Sequence, residues 1–262
     1  VRAAPETPAR AAREQADPED TMSEARSAVG SDSNPSRPDP AVRAAVVERV
    51  RVRTAAEPDP RAAIFDNPLS ARAASFRVLR HRLADRGDPK VLVVTSAQDG
   101  EGKTTCALNL AWALAESGRN RVLLLEANTA RPALAGLLGF LPPGCFLDQL
   151  SQHRSEPTRP WTVAQIAPYD LDVLAVQPRS EPRPLLHGPN LLAALASLRA
   201  AYSYMVIDTS SILTGLDMPL LEDGADGIVI AARARQTRGR ALTAALEQAG
   251  GSRVLGVVLM DV

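Results

Sequence analysis

The chain has 262 residues with 30 basic and 30 acidic side chains, so its formal net charge is zero and nothing in the global charge asks for nucleic acid or an acidic membrane surface. Two cysteines, Cys106 and Cys145, and three scattered histidines, His81, His153 and His187, show no metal-ligand or triad spacing, which fits a reducing, cytoplasmic setting. No apolar stretch approaches the ~20 residues needed to span a bilayer, and no secretory h-region occurs.

Residues 1–62 differ from the rest. They are rich in Ala, Arg, Glu, Asp and Pro and contain no aromatic residue before Phe65. Such a segment buries too little apolar surface to offset its ordering entropy. It is expected to be disordered, with one ordered piece at Val42–Val52, and Met22 is an alternative initiator to Val1. From residue 63 to 262 the chain reads as one folded domain of alternating helices and strands.

A helix is predicted from about Pro68 to Leu83, with Phe76, Leu79 and Leu83 on one face. The apolar run Val91–Ser96 is a buried strand, and Cys106–Ala115 opens a helix that ends near Gly118. Val122–Leu125 is a second strand, closed by Glu126. The region 133–167 is less regular, with short helices at Ala133–Leu138 and Phe146–Leu150. Strands follow at Leu171–Val176, Tyr204–Asp208, Gly227–Ala231 and Val254–Met260, with helices at Pro189–Ala201 and Thr237–Ala249. Continuous apolar strands between helices imply an α/β fold with a mostly parallel sheet covered on both faces. Ligands then bind at the carboxyl ends of the strands.

Between the first strand and its helix lies Ala97-Gln-Asp-Gly-Glu-Gly-Lys103-Thr104-Thr105. Strand, glycine-rich turn, Lys-Thr and helix make a P-loop. Gly100 and Gly102 let backbone N–H groups close around phosphate oxygens, and the helix N-terminus adds its dipole. Lys103 supplies a point charge to the β- and γ-phosphates, Thr104 a hydroxyl for Mg²⁺, and Thr105 a donor to the α-phosphate. The expected ATP-binding set is Asp99, Gly100, Glu101, Gly102, Lys103, Thr104 and Thr105. Asp208 closes an apolar strand as a Walker B carboxylate, so Thr104 and Asp208 are the expected Mg²⁺ ligands. Glu126, at the tip of the strand after the P-loop helix, is placed to orient water or accept a proton. The expected catalytic set is Lys103, Glu126 and Asp208; Trp112 and Trp161 read as packing residues.

These motifs resemble the P-loop tyrosine kinases of bacterial polysaccharide export, the BY-kinase or CpsD/CapB type, relatives of the ParA/MinD ATPases. The likeness covers about Asn67 to Asp261. Ser75–Leu83 resembles the family's "EayRtLRtnl" helix, Ser96–Thr104 its "S-x-x-P-G-E-G-K-S/T" loop, and Val122–Pro132 its "vLlIDaDlRrP" acidic motif. Leu171–Gly188, Tyr202–Thr209 and Leu255–Met260 are similar to "l.vLpaG..ppnP.eLL", "yDyviiDtpP" and "lGvvlN". The resemblance implies an Mg²⁺-ATP-dependent protein-tyrosine kinase or ATPase of exopolysaccharide or capsule assembly. It also implies a homo-oligomer recruited to the membrane's inner face by the cytosolic tail of a transmembrane co-polymerase.

Departures from the family pattern open a second reading. The two acidic-motif aspartates are Glu126 and Asn128 here, Ala74 replaces the glutamate of the oligomerising E-x-x-R-x-x-R pattern, and Met260 replaces an asparagine. Relatives end in a tyrosine cluster, whereas the tyrosines of this chain are Tyr169, Tyr202 and Tyr204. The alternative is a degenerate nucleotide-binding regulatory subunit. A ParA/MinD-type positioning ATPase is a third reading, opposed by Gln98 where those relatives carry an extra lysine.

Overall fold

The computed structural model describes residues 42–55, 59–177, 188–215, 218–250 and 253–261. The expectation of disorder over 1–41, and the part of the Leu171–Gly188 motif from 178 to 187, lie outside the described residues. The strands are β1 (Val47–Arg51), β2 (Val91–Ser96), β3 (Val122–Glu126), β4 (Trp161–Ile166), β5 (Leu171–Leu174), β6 (Tyr204–Asp208), β7 (Gly227–Arg233) and β8 (Val254–Met260). The helices are α1 (Ala63–Asp66), α2 (Ala71–Ala84), α3 (Lys103–Ala115), α4 (Leu134–Leu138), α5 (Phe146–Ser155), α6 (Gly188–Ala201), α7 (Met218–Glu222) and α8 (Gly239–Gln248).

The strands form one sheet in the order β1-β4-β5-β3-β6-β2-β7-β8. Every pairing is parallel except β4 with β5. The central strands are apolar up to their carboxyl ends because both faces are covered. Alternation sorts their side chains: Leu92, Val94, Val122 and Leu124 pack with α1 to α4, while Val91, Val93, Leu123 and Leu125 pack with α5 to α8. Both tryptophans are packing residues, Trp112 stacked on Phe65 at 5.2 Å and Trp161 on His153 at 3.9 Å. α2 begins at Ala71 rather than Pro68 because the Ser70 hydroxyl accepts the Ala73 N–H and caps the helix.

Sequence reading missed three elements, β4, α1 and α7, and placed the start of the domain too late. β4 lies inside the stretch read as irregular; it is a β-strand of alternating burial between Pro160 and Pro168, paired antiparallel with β5. β1 lies upstream of the expected boundary at 63, within the piece anticipated at Val42–Val52, and extends the sheet by pairing with β4. Its charges disguised it. Arg49 donates Nε to Asp172 at 2.8 Å and also pairs with Asp170, carboxylates more than a hundred positions away. Asp172 is only 1% exposed and takes the Tyr202 hydroxyl at 2.9 Å as well. A charge-bearing edge strand is thus docked by a buried acid that no local pattern announces.

Candidate active site

β2 lies between β6 and β7, so the turn leaving its carboxyl end is flanked by the tips of both. In that turn Gly100 has φ +82° and Gly102 +91°, a left-handed conformation that a side chain would strain. Gly102 is the N-cap of α3, whose first residues are Lys103, Thr104 and Thr105. These residues with Gly100 line a cleft of 540 Å³. Glu101 does not enter the cleft. Its Oε2 accepts the Gln98 N–H at 2.8 Å and its Oε1 the Thr237 hydroxyl at 2.6 Å, so it braces the loop against the end of the β7–α8 connection.

Beside the cleft stands Asp208, 0% exposed at the end of β6. Its Oδ2 accepts the Thr104 hydroxyl at 2.8 Å, while its Oδ1 has no hydrogen-bond partner among the described residues. Burial and the neighbouring Glu126 charge push its carboxyl up to about 7, against the pull of the Thr104 hydroxyl and Lys103. An orphaned carboxylate oxygen next to a threonine hydroxyl is a hard-oxygen donor pair that suits Mg²⁺. Thr104 and Asp208 would hold the ion.

Glu126, expected as the base, is tied to backbone in this structure. It is 0% exposed, Oε1 accepts the N–H groups of Ala133 at 2.5 Å and Leu134 at 2.8 Å, and Oε2 accepts that of Val176 at 2.8 Å. Both oxygens therefore anchor backbone: the start of α4 and the chain leaving β5. These three N–H groups occupy three of the roughly four acceptor sites of an ionised carboxylate. Asn128 likewise caps its own loop, its Oδ1 accepting the Arg131 N–H at 3.3 Å.

The carboxylate at the mouth of the P-loop is Asp99. Its Oδ1 accepts Lys103 Nζ at 3.3 Å and the Ser211 hydroxyl at 2.9 Å, and its Oδ2 accepts Arg131 at 2.8 Å. Arg131 falls in the stretch matched to the acidic motif, whereas Ser211 had no signal beyond lying just past Asp208.

Two further arginines border the cleft, Arg61 and Arg233. Arg61 comes from the segment expected to be disordered. Asn109, 0% exposed on α3, fixes it there: its amide donates to the Arg61 carbonyl at 2.7 Å and its oxygen accepts the Ile64 N–H at 3.2 Å. A fully buried polar residue inside an otherwise apolar helix was the available signal.

On the opposite side of α3, Arg77 and Arg80 of the arginine-bearing pattern turn inward. Arg77 pairs with Glu116 and Arg80 donates to the Ala113 carbonyl at 2.6 Å, at the carboxyl end of α3. None of Tyr169, Tyr202 and Tyr204 is exposed.

No family model matches the chain. Among curated proteins, the succinoglycan biosynthesis transport protein ExoP of Rhizobium meliloti is 28% identical over 208 residues, which are 75% of this chain and 26% of ExoP, so the chain spans about a quarter of that relative. The tyrosine-protein kinase CpsD of Streptococcus agalactiae is 27% identical over 194 residues, covering 71% of this chain and 82% of CpsD. The tyrosine-protein kinase YwqD of Bacillus subtilis is 28% identical over 208 residues, covering 73% and 82%. Among solved structures, the VpsO kinase domain superposes with a TM-score of 0.60 at 28% identity, covering 76% of this chain and all of that domain (100%). A chain of the MinC:MinD cell division protein complex of Aquifex aeolicus shares the fold, with a TM-score of 0.51 at 19% identity over 65% of this chain and 67% of that one. In sequence the chain resembles the tyrosine-protein kinases CpsD and YwqD and the succinoglycan biosynthesis transport protein ExoP, and in fold the VpsO kinase domain.

Proposed function

We propose that this chain is a P-loop ATP-dependent protein-tyrosine kinase or ATPase regulating exopolysaccharide or capsule biosynthesis and export. The observation that carries the reading is the joint placement of Lys103, Thr104 and Asp208 at one cleft, with the Thr104 hydroxyl on the Asp208 carboxylate. The backbone N–H groups of Gly100 to Thr105 cradle the α- and β-phosphates, and Lys103 addresses the β- and γ-phosphates. Mg²⁺ held at Thr104 and Asp208 neutralises phosphate charge as it develops. Arg61 and Arg233 line the same opening.

Among the described residues no helix is long and apolar enough to cross a membrane. The reading includes recruitment to the cytoplasmic face of the membrane by the cytosolic tail of a polysaccharide co-polymerase. ExoP, named as a succinoglycan biosynthesis transport protein, matches 75% of this chain and supports that pairing.

A second reading is favoured by one observation: the carboxylate expected to act as base accepts three backbone N–H groups. In that reading the chain binds nucleotide and regulates an export complex with little phosphoryl transfer. Incubation with γ-labelled ATP, Mg²⁺ and the co-polymerase tail separates the two. Label on protein supports the kinase, free phosphate alone the ATPase, and nucleotide binding without either the regulator.

A further inference from the structure

Asp99 meets three cationic or hydroxyl partners from three segments: Lys103 from α3, Arg131 from the loop after β3, and Ser211 from the loop after β6. The Lys103 side chain is 9% exposed and that of Asp99 35%, so the pair sits at the lip of the cleft. At 3.3 Å the opposite charges cancel part of each other's field toward a third group. The carboxyl is held below its ordinary range; burial opposes this, and the Ser211 hydroxyl, Lys103 and Arg131 outweigh burial. Asp99 therefore stays anionic at neutral pH.

The two kinds of phosphate contact in a P-loop differ in what Asp99 can affect. Backbone N–H groups hold the inner phosphates, whereas the lysine ammonium serves the outer ones. The N–H donors of Gly100 to Thr105 keep their direction whatever Asp99 does, because α3 and the two positive-φ glycines fix them. The Lys103 charge does not. An aspartate engaging it acts mainly on the terminal phosphate, and adds its own repulsion there.

Resting on the nucleotide-binding reading above, we propose that Asp99 sets the phosphate selectivity of this P-loop: by engaging Lys103 and Arg131 it withholds cationic charge from the terminal phosphate, so the site holds a nucleoside diphosphate at least as tightly as the triphosphate. The chain is then a nucleotide binder whose diphosphate form is not displaced by the triphosphate on affinity alone.

Calorimetric titration of the full chain with Mg²⁺-ADP and Mg²⁺-ATP tests this. The wild type is expected to bind ADP as tightly as ATP or tighter. Asp99→Asn keeps an acceptor for Ser211 but removes the charge, and should tighten ATP about ten-fold, or ~1.4 kcal/mol, with less than about a three-fold gain for ADP. Asp99→Ser, which keeps only a small polar group, must shift the ATP-to-ADP ratio in the same direction. Unchanged ATP affinity in both variants, or an equal gain for both nucleotides, overturns the proposal while leaving nucleotide binding intact. A folded wild type and folded variants that bind neither nucleotide refute the P-loop reading itself, and the selectivity role with it.

Discussion

Glu126 and Asp208 are register partners on adjacent strands β3 and β6, and both are 0% exposed. Two carboxylates cannot share a dry site at equal cost. Glu126 has three backbone N–H donors to hold its charge, while Asp208 has the Thr104 hydroxyl and an orphaned oxygen. The repulsion and burial therefore fall on Asp208, whose carboxyl rises to about 7.

That shift has two pH consequences for Asp208. Mg²⁺-dependent nucleotide binding should strengthen as pH rises through about 7, since only the ionised carboxylate serves the ion. Stability runs the opposite way. A raised folded-state pKa gives a contribution fully present below the unfolded value of ~3.9 and lost as pH rises through the folded one. Between pH 4 and 7 the metal-free protein should lose on the order of a few kcal/mol from this group. Denaturant titrations of the wild type should show that slope and Asp208→Asn should lack it; equal slopes would remove the assignment.

Lys103→Ala should weaken Mg²⁺-ATP binding by roughly 1–3 kcal/mol, the cost of a lost charge-assisted contact. Calorimetry measures it directly. Equal affinity in the variant would refute the phosphate-binding role.

Glu126→Gln separates anchor from base. Glutamine can accept for Ala133 and Leu134 with its oxygen, but it then turns an NH₂ toward the Val176 N–H. That leaves a buried donor unmet and should cost ~1–3 kcal/mol of stability. A clear drop in melting temperature is expected. A variant as stable as the wild type but devoid of turnover would return Glu126 to the role of base.

Arg49→Ala should release β1. It strips the 1%-exposed Asp172 of its nearest cation, leaving Tyr202 and a more distant Arg121 at 4.0 Å. Breaking one arm of such a buried cluster should destabilise by ~1–3 kcal/mol. Limited proteolysis between residues 42 and 55 should be slow in the wild type and fast in the variant. Equal rates would mean that backbone pairing with β4 suffices.

Tyrosine phosphorylation of this chain on itself should be slight. Tyr202 is 7% exposed, bonded to Asp172 and pushed up in pKa, mainly by burial. Tyr204 donates to Asp88 at 2.5 Å beneath the Lys90 ammonium, and Tyr169 packs against the core. Mass spectrometry after incubation with Mg²⁺-ATP should find these three unmodified in the folded protein. Stoichiometric phosphotyrosine at any of them would contradict the packing.

The glycine-rich turn, its strand and helix, and the strand that Asp208 closes were legible in the sequence because local rules determine them. Glycines with positive φ, a lysine and threonine at a helix start, and apolar runs of strand length are properties of neighbouring residues. What tertiary structure decided were the pairings between distant residues. β1 belongs to the sheet because Asp170 and Asp172 neutralise Arg49, and Arg61 reaches the cleft because Asn109 holds its carbonyl. Glu126 sits at the strand tip that sequence marked, yet the backbone of Ala133, Leu134 and Val176 takes both its oxygens. A carboxylate's position along a strand follows from its own sequence; whether its lone pairs face a substrate depends on which N–H groups the rest of the fold brings against it.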